Sequence, residues 1–403
     1  MGCVGVGGRI YARGAGFTAR PAGASFEKRF RWTRALREHV RHCYARRGEK
    51  IGDAVSFNLR FAFVNAPSTT SSSAPPAGPV PTGDAEQSTE PDEEHRTGTV
   101  VSSTGSWYEV QTAGGLVSSK ASGKLRLRDE DVTNPLAVGD RVTLRISPED
   151  GTGYITAIHE RENALTRRAA GRRAGQRHVI VANVDAAWAV QAVRRPRLNP
   201  GFLDRFLVMA AVCDIPAGII FNKTDLTRPE DEERVASLRA LYEDLGYLVL
   251  MTSATEGEGV AAVKDALEGR LSVLSGPSGA GKSTLLNAIE PGLGLRTGAV
   301  SDKTNKGRHT TTHAALYPLT DLADGSFVAD TPGIREFGIL DLEPDELCHF
   351  FVEFFDYLDG CKFIDCTHDH EPGCAIKEAV EAGEIDERRY ESYLNILQSL
   401  REG

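Results

Sequence analysis

The chain has 403 residues, 26% charged and 40% hydrophobic, which at roughly 100–200 residues per domain suits two to four compact domains and excludes a short peptide or a fibrous array. No apolar run reaches the roughly 18–20 residues that span a bilayer, so a soluble chain with no membrane partner is expected. The formal charge of −9 hides a division: residues 1–64 carry 13 Lys and Arg against 4 Asp and Glu, leaving 34 basic against 52 acidic groups in the rest.

The first acidic residue is Glu27, and Arg9, Arg13 and Arg20 lie among Gly, Ala, Ser and Thr. An Arg-rich, acid-poor start without a 7–15-residue apolar core fits an organellar transit peptide over residues 1–64 better than a secretory signal. The alternative is a basic arm that stays on and touches RNA. Residues 65–95, rich in Ser, Pro and Ala, hold too few large apolar side chains to offset chain entropy and are expected to form a disordered linker.

Residues 96–165 read as all-β. GTVVSSTGSWYEVQT alternates and breaks at Gly114-Gly115, KLRLR alternates, and GDRVTLRI precedes GTGYITAI across a Gly151-Thr-Gly153 turn. About five short strands suit a small closed barrel of the oligonucleotide/oligosaccharide-binding (OB) type. Residues 96–175 hold 12 basic and 9 acidic groups in an otherwise acidic chain, with Arg126 and Arg128 on one alternating stretch and Arg167, Arg168, Arg172 and Arg173 behind it. A basic barrel in an acidic protein points to a polyanion; a plain solvated face is the alternative.

Over residues 175–345 apolar strands alternate with amphipathic segments: HVIVANVDAAWAVQAV, LDRFLVMAAVCDI, AGIIFNKTDL, ERVASLRALYEDLG and YLVLMTSA. That pattern predicts a parallel sheet covered by helices. LSVLSGPSGAGKSTLLNAI then supplies strand, loop and helix around G-x-x-x-x-G-K-[ST], from Gly276 to Ser283. Gly276, Ser278, Gly279, Ala280 and Gly281 would wrap backbone N–H groups around phosphates, a concavity that side chains would obstruct. Lys282 would reach the β- and γ-phosphates, Ser283 would ligate Mg²⁺, and Thr284 continues the phosphate-binding helix start.

The base is read upstream. Asn222-Lys223-Thr224-Asp225 matches N-K-x-D, in which the Asp225 carboxylate accepts from the ring N–H and exocyclic amine of guanine, a pair that adenine does not offer. Ser253-Ala254, ending the next strand, matches the second base-contacting element. Downstream, Asp330-Thr331-Pro332-Gly333 is a D-x-x-G after a strand: Asp330 is expected to hold Mg²⁺ through water and Gly333 N–H to meet the γ-phosphate. Between them KTNKGRHTTTH reads as a switch loop, with Thr311 closing on Mg²⁺ and γ-phosphate. GTPases ordinarily run phosphate loop, switch threonine, D-x-x-G, N-K-x-D, then S-A; here the last two come first, a circular permutation. The end of the second switch then leads into the C-terminal appendage, where its motion can drive an attached domain.

Residues 346–403 open on an expected aromatic helix, DELCHFFVEFFDYLDG, followed by Cys361-x₄-Cys366-x-His368-x₅-Cys374 and two helical stretches. Three thiolates and an imidazole at this spacing suit one closed structural Zn²⁺ site, His370 being the alternative fourth ligand. The other four cysteines are scattered at positions 3, 43, 213 and 348, so a reducing compartment is favoured over disulfides.

A small barrel, a permuted GTPase and a C-x₄-C-x-H-x₅-C segment in this order, with LDRFLVMA, FNKTDL, GPSGAGKSTLLN, GRHTTT and DTPGIREFG, resemble the RsgA/YjeQ family of small-ribosomal-subunit-dependent GTPases over residues 96–401. The resemblance implies GTP hydrolysis to GDP, Mg²⁺ and Zn²⁺ as cofactors, binding to the small ribosomal subunit and its rRNA late in maturation through barrel and zinc segment, and release on hydrolysis. A monomer is expected, and the basic start favours an organellar form, in the chloroplast stroma ahead of the mitochondrial matrix. Ala121-Ser122-Gly123-Lys124 stands where the family tends to have R-G-K, a departure on the RNA-contacting face. Ile334 follows D-x-x-G where many GTPases place a water-orienting Gln, and the resemblance implies that His309 of G-x-x-H-T-T takes that role. The competing reading is a signalling or trafficking GTPase, for which barrel and zinc segment have no evident use and neither terminus carries a lipidation motif.

Overall fold

The computed structural model describes residues 95–122, 134–168, 177–295, 314–330 and 342–402. The basic N-terminal segment, most of the linker, Lys124, Arg126, Arg128, Arg172 and Arg173 lie outside them. So do His309, Thr311, Gly333 and Ile334.

Five strands, β1 (His95–Thr104), β2 (Trp107–Thr112), β3 (Gly115–Ala121), β4 (Arg141–Ile146) and β5 (Gly153–Ile158), close on themselves in the order β1-β2-β3-β5-β4-β1, with β3 and β5 parallel and the other pairs antiparallel. This is the expected OB-like barrel, closed without exposed edges. Val100, Val110, Val142, Leu144 and Ile155 fill it. A bulge between Val100 and Ser102 lets one strand serve two cores: Val100 points into the barrel, whereas Val101 joins the main core. The KLRLR stretch, residues 124–128, lies outside the described residues.

Next, β6 (Ala164–Arg168) and β7 (Arg177–Ala182) pair with each other as a separate two-stranded sheet, with one further bridge from Val181 to Val138. HVIVANVDAAWAVQAV therefore divides: its first half is a hairpin arm, and only β8 (Ala186–Ala192) enters the large sheet. β9 (Ala217–Asn222), β10 (Leu248–Met251), β11 (Leu271–Ser275), β12 (Ala315–Pro318) and β13 (Phe327–Asp330) complete that sheet in the order β10-β9-β8-β11-β13-β12, parallel except for β12. One pairing, Ser102 with Ala315, joins it to the barrel.

Every residue of β8 and β11 is buried, because helices cover both faces. Ala187, Ala189, Ile219 and Phe221 meet α1 (Pro200–Val212) and α2 (Pro229–Asp244). Their neighbours Trp188, Val190 and Ile220 face α3 (Val260–Leu267) and α4 (Lys282–Ile289). Among the described residues no helix is long and apolar enough to cross a membrane.

The expected aromatic helix is instead three short 3₁₀ turns, Pro344–Phe350, Val352–Phe354 and Leu358–Gly360. Phe350, Phe351 and Phe354 are all buried, so the apolar residues must face several directions at once, which a straight amphipathic helix cannot do. The chain ends in α5 (Ala375–Glu381) and α6 (Glu387–Glu402). Tyr393, Ile396 and Leu397 of α6 belong to the same core as Leu203 and Phe206 of α1.

At that junction lies a buried charge cluster. Arg389 on α6 donates to Asp204 on α1 at 2.6 Å and to Glu353 at 2.6 and 3.2 Å, its guanidinium lying 4.6 Å from the Phe351 ring centre. The Tyr242 hydroxyl of α2 also donates to Asp204, at 2.7 Å. Burial alone would lower the Arg389 pKa, but Glu353 and then Asp204 outweigh it and hold the guanidinium charged. Removing one partner strands the others in a dry interior. Arg389→Ala is therefore expected to destabilise the fold by about 3–5 kcal/mol, read as a lower urea midpoint for loss of tryptophan fluorescence change, with the C-terminal lobe loosened from α1.

Candidate nucleotide site and metal centre

The carboxyl ends of β9, β10, β11 and β13 lie along one edge of the parallel sheet, where ligands bind in open α/β folds. Asn222 ends β9, Thr252-Ser253-Ala254 follows β10, the glycine-rich loop follows β11, and Asp330 closes β13. The side chain of Asp330 and all of Thr311, His309 and Gly333 fall outside the description, so the expected Mg²⁺ set is represented by Ser283 at the start of α4.

Asn222 is 1% exposed and holds three segments together. Its Nδ2 donates to Ala280 O in the glycine-rich loop at 3.1 Å, and its Oδ1 accepts from Thr252 Oγ1 at 3.1 Å and Ala254 N at 3.2 Å. Lys223 takes the left-handed conformation, φ 64°, which turns the chain so that Asp225 sits exposed in the short turn Thr224–Leu226. Lys223 Nζ donates to Arg195 O at 2.8 Å, and Thr224 N to Thr252 O at 3.1 Å. The Ser253 hydroxyl donates to Asp225 Oδ1 at 2.6 Å, which orients the carboxylate before any base arrives. Residues 222, 223, 225, 253 and 254 are thus brought together as one acceptor-bearing pocket rim.

Two glycines of the loop have no possible replacement. A Cβ on Gly276 would collide with the Val190 carbonyl, and one on Gly281, φ 93°, with the Asn222 amide. Ser278 and Gly279 form the exposed tip, while Ala280 is buried beneath it. Lys282 Nζ donates to Gly276 O at 2.6 Å and Pro277 O at 3.1 Å, so its ammonium curls back over the loop. Ser283 and Thr284 begin the helix whose positive end faces the loop. The cradle fits a nucleotide polyphosphate: backbone N–H groups, an ammonium and a helix start converge where a side chain would block entry.

In the C-terminal lobe the ligand atoms of Cys361, Cys366, His368 and Cys374 all lie within 4.8 Å of one another. Cys361 Sγ is 4.0 Å from Cys374 Sγ, and His368 Nδ1 is 3.5 and 3.4 Å from those two sulfurs. A tetrahedral Zn²⁺ at about 2.3 Å from sulfur and about 2.0 Å from nitrogen requires edges of about 3.8 Å and about 3.5 Å, so the set fits that ion. His368, φ 60° and 3% exposed, turns inward, whereas the His370 side chain is 76% exposed beside Asp369. Burial pushes the Cys366 thiol up to about 12, with Cys374 and Cys361 adding to the rise, so a central cation is what would make three thiolates tenable.

The loop is braced from outside. Tyr390 and Tyr393 of α6 donate to the carbonyls of His368 and Thr367, each at 2.7 Å. Glu371 accepts from Thr367 N and Oγ1 and from Asp369 N. Burial raises the Glu371 pKa, but these hydrogen bonds outweigh it and hold the carboxyl at about 2, below its usual 4.5. Its contribution to loop order is therefore complete above that usual value and is lost as pH falls toward 2. The support from Thr252 and the tyrosines carries no motif and was not foreseeable from spacing; Asn222 belongs to N-K-x-D, but its reach to Ala280 depends on the fold.

Asn222→Ala and Gly281→Ala are each expected to weaken fluorescent-nucleotide binding by about 10–100-fold, the equivalent of one or two hydrogen bonds made to a charged group. Chelation followed by melting should release one Zn²⁺ equivalent and disorder the C-terminal lobe while nucleotide affinity survives; elemental analysis checks the stoichiometry.

Comparison with known proteins agrees with this geometry. The RsgA GTPase family profile matches residues 158–340 and the RsgA N-terminal domain profile residues 97–155. The "Small ribosomal subunit biogenesis GTPase RsgA" of Phocaeicola vulgatus is 44% identical over 307 residues, 76% of this chain and 97% of that protein. The protein of the same name from Gemmatimonas aurantiaca is 47% identical over 306 residues, 75% of this chain and 97% of its own length. YjeQ from Thermotoga maritima superposes with a TM-score of 0.64 at 38% identity, covering 76% of this chain and 99% of YjeQ. YloQ, described as a circularly permuted GTPase, gives 0.60 at 28% identity over 79% of this chain and 98% of its own. With its OB-like barrel, its permuted nucleotide site and relatives matched over nearly their whole length, the chain belongs to the RsgA GTPase family and is a GTP hydrolase.

Proposed function

We propose that this GTPase binds the small ribosomal subunit during late maturation, contacts its rRNA, and is released when GTP is hydrolysed. The observation that carries the reading is the match to relatives named for small-subunit biogenesis over 97% of their length. Charge supports it: the barrel half is basic within an acidic chain. A signalling or trafficking switch would leave both the barrel and the Cys₃His cluster without a use.

In the proposed cycle Asp225 reads guanine, oriented by Ser253, and Asn222 keeps the base rim in register with the phosphate loop. The N–H groups of Gly279–Ser283 and the Lys282 ammonium stabilise charge on the phosphates. Mg²⁺, held by Ser283 with Thr311 and Asp330, would neutralise the β- and γ-phosphate oxygens. Ile334 has no polar atom with which to orient water, so we assign that task to His309. The Cys₃His cluster would hold one structural Zn²⁺ that leaves no open position for catalysis. We further propose that the protein acts as a monomer and that residues 1–64 direct it into an organelle, the chloroplast stroma ahead of the mitochondrial matrix. Support for the last point is the Arg-rich, acid-poor start of the chain, which precedes the family match beginning at residue 97.

The reading is tested by GTP turnover with and without purified small subunits. Strong stimulation is expected, and none would favour the switch reading. Asp225→Asn should exchange GTP for xanthosine triphosphate preference, since an amide donates where the carboxylate accepted; a competition titration checks it. His309→Ala should leave GTP binding and subunit association nearly intact while abolishing most stimulated hydrolysis, trapping the protein on the particle in a sedimentation assay.

A further inference from the structure

A cavity of about 480 Å³ opens between the start of α1, the middle of α2 and the start of α6, lined by none of the nucleotide-site or metal-cluster residues above. Every charged residue that lines it is an arginine: Arg197, Arg234 and Arg388. The three come from segments far apart in sequence, so no local pattern announces them. Arg388 is partly committed, donating to Asp386 at 2.9 and 2.7 Å and to Ser237 Oγ at 3.2 Å. The other two are not. Arg197 is exposed, and among the described residues neither it nor Arg234 has an acidic partner; Arg234 Nε is buried without any hydrogen bond.

Of the acidic residues that open α2, Glu230 and Asp231 pair with arginines that do not line the cavity. Arg194 bonds Asp231 at 2.7 Å, and Arg194 and Arg228 each approach Glu230 at 3.5 Å. At the mouth Asn199 caps α1 by accepting from Phe202 N, so the positive end of a 13-residue helix adds to the arginines. A buried guanidinium N–H without an acceptor costs free energy that an anion would recover.

We propose that this cavity is a second phosphate site, which takes backbone phosphate of RNA. The proposal rests on the ribosomal reading above for the source of that RNA. Planar guanidinium forks match phosphate oxygens two at a time. The wall has no aromatic ring to stack a base and no carboxylate to hold a ribose; Leu198 and Leu238 are its buried apolar lining. It is therefore built for the phosphate alone, and exposed Arg197 and Asn199 leave it open for a polymer to cross. Arg195 and Pro196, which precede Arg197, lie beside the nucleotide site, Pro196 by Gly279 and Arg195 O accepting from Lys223, whereas Arg197 and Leu198 line the cavity.

The test uses the full chain with Arg197→Gln and, separately, Arg234→Gln, and a labelled single-stranded RNA read by anisotropy across a salt series. Each variant should weaken RNA binding by about 3–10-fold and reduce the salt slope by about 0.7, the loss of one phosphate contact, with fluorescent GTP-analogue affinity unchanged. Wild-type RNA affinity and slope in both variants would overturn the proposal. Arg197 is on the surface, so its variant decides the matter even if Arg234→Gln folds poorly. In a second arm the nucleotide site is saturated with a non-hydrolysable GTP analogue and inorganic pyrophosphate is titrated. Pyrophosphate binding lost in both variants while RNA binding persists would give the site to a free phosphate compound and overturn the RNA assignment. Co-sedimentation of wild type with small subunits keeps the two readings apart: its failure would sink the ribosomal function, whereas arginine-dependent binding of the free RNA would still support the cavity.

Discussion

The buried amide of Asn222 is the interaction on which the nucleotide site depends. It sits at the end of a central strand, gives its N–H to the phosphate loop and takes N–H and O–H from the segment after β10. Phosphate recognition and base recognition lie on different loops, 58 residues apart where Asn222 meets Ala280. One buried amide, hydrogen-bonded through both its nitrogen and its oxygen, holds them at a fixed spacing. A buried polar group in a low-dielectric interior is costly when unpaired and strongly orienting when paired, so the same residue supplies both order and a penalty for disorder. Gly281 exists in this sequence because the amide occupies the space that any side chain would take.

A second buried polar junction sets how the C-terminal lobe is carried. Arg389 with Asp204 and Glu353 ties α6 to α1, Tyr242 extends the cluster to α2, and Arg205 reaches Ser399 at 2.9 Å. Permutation sends the chain from β13 into this lobe, and the sequence suggests that motion at the second switch drives it. The junction opposes sliding of the lobe along α1, because sliding would uncover paired charges in a dry interface. The same helices frame the arginine cavity, whose shape is therefore tied to the seating of the lobe.

The motifs were legible because each is local. G-x-x-x-x-G-K-S, N-K-x-D and the Cys₃His spacing encode backbone conformation and donor type within a few residues, and the alternating apolar runs marked the barrel and the sheet. Misreadings occurred where burial on several sides replaces periodicity. The aromatic stretch from Asp345 is expected as a helix, but its rings face the metal loop, α6 and the main core at once, and 3₁₀ turns are what allow that. The strand at His178 was expected in the large sheet, yet it pairs with β6, a partner that its own composition does not specify.

From the sequence alone came the motifs: an N-K-x-D of the guanine-reading type, a G-x-x-x-x-G-K-S of the phosphate-binding type, four residues that suit a tetrahedral metal, and the permuted order in which they occur. These depend on residue type and short spacing, which the chain carries in linear form. The tertiary structure alone decided which parts touch. The closure of β3 against β5, the reach of Asn222 to Ala280, the burial of Arg389 between two carboxylates and the meeting of Arg197, Arg234 and Arg388 all join residues remote along the chain. Such contacts follow from the packing of both faces of one sheet and from pairing most of the polar groups enclosed there, conditions that exist only once the whole chain is folded.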